Sequence, residues 1–249
     1  MRIGMTERGD AGLDMGWVCK LHGLDGAILI TKKITNKFAR AVLRDDLPCP
    51  VIIHATCTGL GGTVFEPNVP DCRVQLSGIR KLIDHGFPKE RIVLRIDPIV
   101  PTTDGLAAAD AVIRTAKAMG LLPGIRVRVS VFDQYKHVVA RFKAAGIHLP
   151  YPEGNFYASP AQFRQVSNLL ASHPDVTFET CAEKTLRGPN IVRMGCVSHK
   201  DLELMGLPTP DMPVNMQNRG GCLCLACKTE LLECRHPCKN FCRYCYWRG

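Results

Sequence analysis

The sequence predicts an α/β fold, a parallel (β/α) barrel or partial TIM barrel, on two observations. Short Ile- and Val-rich runs alternate with longer amphipathic stretches from the first residues to about residue 180. Pro and Gly punctuate the joints, at Gly86-Phe87-Pro88, Pro123-Gly124 and Pro174. Strands that recur with helices between them pair in parallel through helical crossovers. The reactive face of such a sheet lies at the C-terminal ends of its strands.

The strand candidates are residues 2–5, 27–31, 51–55, 92–96, 126–131 and 176–180, apolar and short enough to be buried. Helices are expected over 73–86, 104–119, 134–146 and 158–173. The third of these sets Val138, Val139 and Phe142 on one face. After about residue 196 the alternation stops, and Gly206-Leu207-Pro208-Thr209-Pro210-Asp211-Met212-Pro213 reads as a connector.

At 249 residues the chain suits one α/β core, and 46% hydrophobic with 22% charged residues excludes a disordered or collagen-like chain. No run approaches the ~18 apolar residues of a membrane span. Residues 1–8 hold no apolar stretch, which sets the expectation of no secretory signal and a cytoplasmic location. A net charge of +9 suits phosphate-bearing partners, though many soluble proteins share it. Thirteen cysteines, an odd number, point to a reducing compartment where thiols bind metal or do chemistry.

Seven of the thirteen are Cys222, Cys224, Cys227, Cys234, Cys238, Cys242 and Cys245. In Cys238-Lys-Asn-Phe-Cys242-Arg-Tyr244-Cys245 three thiolates can wrap a compact cluster from one loop. Iron–sulfur centres ordinarily take four thiolates, so three leave one iron open. The spacing, with Tyr244 before the last cysteine, is similar to that of radical S-adenosylmethionine (SAM) enzymes. There a [4Fe-4S] cluster holds SAM at the open iron, and an external donor such as flavodoxin or ferredoxin supplies the electron. The alternative is zinc on Cys224-x2-Cys227 and Cys242-x2-Cys245, in a non-catalytic, zinc-stabilised nucleic-acid-binding protein.

Longer segments carry a second resemblance. They are Gly26-Ala-Ile-Leu-Ile-Thr31-Lys32, Phe65-Glu66-Pro67-Asn68-Val69-Pro70, Arg95-Ile96-Asp97-Pro98-Ile99, Val129-Ser130-Val131-Phe132-Asp133-Gln134-Tyr135-Lys136, Glu179-Thr180-Cys181-Ala182-Glu183, Cys222-Leu-Cys224 and the tail. In that order they resemble the spore photoproduct lyase-like radical SAM proteins, and more closely the domain-of-unknown-function 1848 family. The resemblance implies a circularly permuted radical-SAM partial barrel whose cluster strand comes last. Residues 1–198 then form the barrel, and 199–249 complete it and carry the cysteine loop. Cys222-Leu223-Cys224-Leu225-Ala226-Cys227 is the expected cluster strand.

The same resemblance nominates Thr6, Lys32 and Thr56 as SAM contacts, with Lys32 on the methionyl carboxylate. Asp97 would meet the ribose, or else pair with Arg95. Tyr244 joins the cofactor site. Cys181, Cys196, Cys222 and Cys224 form a possible auxiliary iron–sulfur or zinc site, with Cys227 and Cys234 as alternative ligands. Cys19, Cys49, Cys57 and Cys72 read as isolated. Glu66 and Asp133 are candidates for orienting substrate, as is Tyr135, which is also a candidate hydrogen donor. Gly59-Leu60-Gly61-Gly62 lacks the lysine of a P-loop and reads as a turn. No Ser-His-Asp or Cys-His set stands out.

The lyase resemblance makes a nucleobase or DNA the expected substrate. The tail from Asn215 carries six Lys or Arg against two Glu, with Tyr244, Tyr246 and Trp247 interleaved. Arg243 and Arg248 are candidate phosphate contacts. The alternative role for the aromatics is to shield the cluster from solvent.

Overall fold

The computed structural model describes residues 1–214, 220–233 and 238–247. Cys234 and Arg248 lie outside the described residues. The strands are β1 (Ile3–Met5), β2 (Gly26–Thr31), β3 (Val51–Thr56), β4 (Ile92–Ile99), β5 (Arg126–Val131), β6 (Phe178–Thr180), β7 (Ile191–Arg193) and β8 (Lys228–Glu230). The helices are α1 (Asn36–Val42), α2 (Cys72–Asp84), α3 (Thr103–Ala118), α4 (Lys136–Ala144), α5 (Pro160–Ala171) and α6 (His199–Leu204). All eight strands form one parallel sheet, open at both edges, in the order β7-β6-β5-β4-β3-β2-β1-β8.

The last strand therefore lies beside the first, with Ile3 opposite Lys228 and Met5 opposite Glu230. It is not the alternating cysteine segment. Residues 222–227 run as irregular chain whose Leu225 amide donates to Val197 O at 3.0 Å. The real strand, Lys-Thr-Glu, is polar and half-buried. Its Lys228 pairs with Glu7 at 2.7 Å, and the Glu230 carboxylate accepts from the amides of Glu7, Arg8, Leu231 and Leu232.

Four expected helices form, and capping explains their starts. Asp71 and Thr102 accept from the first-turn amides of α2 and α3, and Ser159 with Gln162 makes a reciprocal box that opens α5. Val138 and Phe142 bury their face of α4, while Val139 is only half-buried.

One sheet face carries Leu29, Ile53, Leu94, Val127 and Phe178 in the main core with Phe38, Leu76, Ile113, Phe142 and Val166 of α1 to α5. On the other face Ile3, Met5, Ile28, Ile52 and Val93 pack against Val197, Leu202, Met205, Leu225 and Cys227. Parallel register continues that second face as a row of Thr56, Arg95, Arg128 and Glu179 across β3 to β6. The face is thus apolar low on the strands and charged toward their C-terminal ends. No helix among the described residues is long and apolar enough to cross a membrane.

Candidate functional site

Each cysteine expected to ligate metal after a strand sits at the C-terminal end of the sheet. Cys238, Cys242 and Cys245 follow β8, Cys181 follows β6 and Cys196 follows β7. In open parallel sheets ligands bind at this end.

The C-terminal loop is held from four directions. Asn240 donates to Asp10 Oδ2 at 2.6 Å, and the same carboxylate accepts from Lys32 N, Gly12 N and Thr31 Oγ1. Asn68 Nδ2 donates to Lys239 O at 2.9 Å, while Arg243 donates from its amide to Phe65 O and from Nε to Val64 O. On α4, Arg141 donates to Cys245 O at 2.7 Å and to Trp247 O at 3.0 Å. Trp247 Nε1 donates to Glu7 O at 2.9 Å, and Arg8 lies over its ring. Two internal turns fold the loop, Phe241 N to Cys238 O and Cys245 N to Cys242 O, with Phe241 at φ 50°. A non-glycine residue in that region is held there by its surroundings.

Beside the loop lies a buried charged cluster. Lys32 Nζ donates to Glu66 Oε1 at 2.6 Å and to Tyr244 OH at 2.8 Å. Tyr244 OH donates to Glu66 Oε1, and Thr58 Oγ1 donates to Glu66 Oε2 at 2.7 Å. Burial pushes the Glu66 carboxyl up, but Lys32 with the Tyr244 and Thr58 hydroxyls outweighs it and holds it below its usual value. Burial also pushes the Cys242 thiol up to about 12, against the pull of the Lys32 ammonium; Cys238 and Cys245 are close enough to add to the rise. Of the three C-terminal thiols, Cys242 is the one beside Lys32.

A second group is tighter. Among the described residues, Cys181, Cys196 and Cys224 are the one set of three ligating side chains whose donor atoms all lie within 4.8 Å of one another. Cys181 Sγ and Cys224 Sγ are 3.7 Å apart, and Cys196 N donates to Cys224 Sγ at 3.1 Å. Cys181 and Cys224 both hydrogen-bond toward Cys196 and pull its thiol well down, helped by Arg128 and Arg95. Gly195 makes the approach possible, since a Cβ there would sit 2.3 Å from Leu223 O. Ala182, next to Cys181, has φ 62°. The segment after Cys196 is anchored through Asp201 of α6, which accepts from Arg126 at 2.7 Å; Arg126 also grips Glu179 on β6.

The other nominated residues fall unevenly. Thr6 is fully buried, and its hydroxyl accepts from Ile30 N at 2.7 Å, so it pins β1 to β2 and presents no free group to a cofactor. Lys32 reaches the loop, but its ammonium is engaged by Glu66 and Tyr244. Thr56 is buried at the end of β3, in register with Arg95. Asp97 pairs with Arg95 and accepts from Ser130 Oγ. Asp133 follows β5 and bears on the buried Tyr151 hydroxyl. Tyr135 packs edge-to-face against Phe156, and its ring lies 6.4 Å from that of Tyr246. Cys222 is buried but stands outside the tight group, and Cys227 packs into the apolar cluster on that face. Cys57 and Cys72 are not isolated, since Cys57 Sγ donates to Cys72 O at 3.9 Å. Arg243 is tied to the Val64–Phe65 backbone.

Sequence reasoning missed Asp10, Asn240, Arg141 and the buried row of Arg95, Arg128 and Glu179. Among the described residues, His54 Nδ1, Arg95 Nε, Arg128 Nε and Asn240 Oδ1 are buried without a hydrogen-bond partner. Both cysteine groups can hold a metal or cluster, thiolates being the ligands that iron–sulfur centres and structural zinc share. A family model described as a domain of unknown function (DUF1848) matches residues 18–247. No curated protein matches the chain.

Proposed function

The chain belongs to the DUF1848 family, and from that premise we propose that it is a radical SAM enzyme whose cluster is ligated by Cys238, Cys242 and Cys245. The observation that carries this reading is the loop itself. Cys238, Cys242 and Cys245, each half-buried, follow the last parallel strand at the reactive end of the sheet. Each thiolate of a cubane binds its own iron, so ligands set wider than the tight group suit a cluster.

Cys238, Cys242 and Cys245 would hold a [4Fe-4S] cluster, which would supply the electron for reductive cleavage of SAM and so the means of hydrogen abstraction from a substrate. The chain's own part is to hold, neutralise and screen. Lys32 places a positive charge beside Cys242 and offsets part of the negative charge of a thiolate-bound centre. Glu66, held ionised by Lys32, Tyr244 and Thr58, fixes the lysine in place. Tyr244 accepts from the Lys32 ammonium at 2.8 Å through its hydroxyl and donates to Glu66, which ties the loop to that ion pair. Asp97, which pairs with Arg95 and accepts from Ser130, would turn its carboxylate toward a ribose hydroxyl.

A nucleobase of DNA is the substrate class we infer. A run of rings supports it: Tyr157 with Phe156 at 4.6 Å, Phe156 with Tyr135 at 4.8 Å, and Tyr246 with Trp247 at 5.3 Å. Such rings can stack on a base, and the net charge of +9 favours a phosphate backbone.

The test is anaerobic reconstitution with iron and sulfide, reduction, and incubation with SAM. The reading requires brown protein that releases 5′-deoxyadenosine, and loss of both properties in Cys242→Ala. Colourless protein that leaves SAM intact would instead support a zinc-stabilised binding protein.

A further inference from the structure

We propose that Cys181, Cys196 and Cys224 hold a single zinc ion through three thiolates, with the fourth position open to water, and not a second iron–sulfur cluster. Distance is the first argument. Thiolates on one tetrahedral zinc, with metal–sulfur bonds of about 2.3 Å, lie about 3.8 Å apart. Cys181 Sγ and Cys224 Sγ stand 3.7 Å apart, and all three sulfurs fall within 4.8 Å of one another. A cubane would need each sulfur on a different iron, which sets the sulfurs farther apart. This group has the size of one ion.

Charge is the second. Three thiolates around a divalent ion leave one excess negative charge inside the fold. Arg128 donates to Cys196 O at 3.4 Å, and Arg95 and Arg128 each keep a buried Nε without a partner among the described residues. Soft sulfur donors in a tetrahedral set select zinc over magnesium, calcium or manganese.

The third argument is that the set is built rather than incidental. Gly195 allows the chains bearing Cys196 and Cys224 to touch, and Arg126 fixes α6 just beyond Cys196 to β6 just before Cys181. Among the described residues the fold supplies three sulfurs, because Cys222 stands outside the group. Three protein donors and an open place mark a zinc that takes an exogenous ligand. Cys181 and Cys196 follow β6 and β7, so the group lies at the reactive end of the sheet.

The assignment does not depend on the iron–sulfur reading, and one preparation separates them. Wild-type protein and variants, reconstituted anaerobically with iron, sulfide and one equivalent of zinc, are desalted and assayed for both metals and for the zinc X-ray absorption edge. The proposal expects one zinc per chain with three sulfurs near 2.3 Å and one lighter donor. Cys242→Ala should lose iron and keep that zinc, while Cys196→Ser and Cys224→Ser should keep iron and lose zinc affinity by more than about tenfold. If those variants fold poorly, cobalt titration of metal-stripped wild type decides instead. Tetrahedral thiolate–cobalt absorption saturating at one equivalent supports the site. Iron near eight per chain without zinc, or a zinc shell lacking sulfur, overturns the proposal; four sulfurs around zinc overturn the open position.

Discussion

Replacing Lys32 by methionine removes the cation from a buried carboxylate while keeping most of the side chain's volume. Glu66 is 1% exposed and would retain only the Tyr244 and Thr58 hydroxyls as donors. Removing one partner of a buried ion pair costs about 3–5 kcal/mol. For a chain of this length each kcal/mol lowers Tm by about 2–4 °C, so the melting point should fall by about 6–20 °C at pH 7.5. The sign of the pH dependence follows from Glu66. In the wild type its pKa is lowered, so its ionised form stabilises the fold above the unfolded value of about 4.3, and that contribution disappears as pH falls through the native value. In Lys32→Met burial acts with less opposition, the carboxyl takes up a proton more readily, and the deficit should shrink toward pH 4. Thermal and urea melts of metal-free protein from pH 4 to pH 8 measure this. Glu66→Gln in the same background should recover part of the loss. A melting point equal to wild type, or a deficit constant across that range, would refute the ion pair as the cluster's organiser.

Arg141→Met removes two charge-assisted hydrogen bonds, each worth about 1.5–3 kcal/mol, that hold Cys245 and Trp247 to α4; iron retention after desalting should fall, with circular dichroism of the sheet unchanged. Gly195→Ala should push the Leu223–Cys224 chain away from Cys196 and lose zinc before iron, measured by metal analysis. Gly12→Ala places a Cβ 1.9 Å from Lys33 O and disturbs the turn around Asp10, so a loss of about 1–3 kcal/mol is expected in urea melts. Arg126→Met leaves Asp201 and Glu179 with one fewer cation and should cost about 3–5 kcal/mol, read by the same melts.

Six of the eight strands were legible because a parallel sheet covered on both faces demands continuous apolar runs, as in Val51–Thr56. The two that were missed are edge strands. Ile191–Arg193 is half to fully exposed, and Lys228–Glu230 is held by ion pairs and backbone donors to Glu230 rather than by apolar burial. Short α1 and α6, with seven and six residues, offer too few turns for a hydrophobic period to emerge. The C-terminal cysteine loop stands out in the sequence because its cysteines are close together. Its supports could not: Asp10 meets Asn240 across 230 residues, and no local pattern encodes that contact. Cys222 was grouped with Cys224 through the family resemblance, whereas Gly195 brings Cys196 to Cys224 and leaves Cys222 aside.

The most direct test of the account is electron paramagnetic resonance of the reduced, reconstituted protein before and after SAM is added. If Cys238, Cys242 and Cys245 leave one iron open, a reduced-cluster signal forms and its g-values shift on SAM addition, and Cys242→Ala shows neither. A reduced-cluster signal that SAM leaves unchanged, or no such signal in iron-loaded wild type, would contradict the central claim.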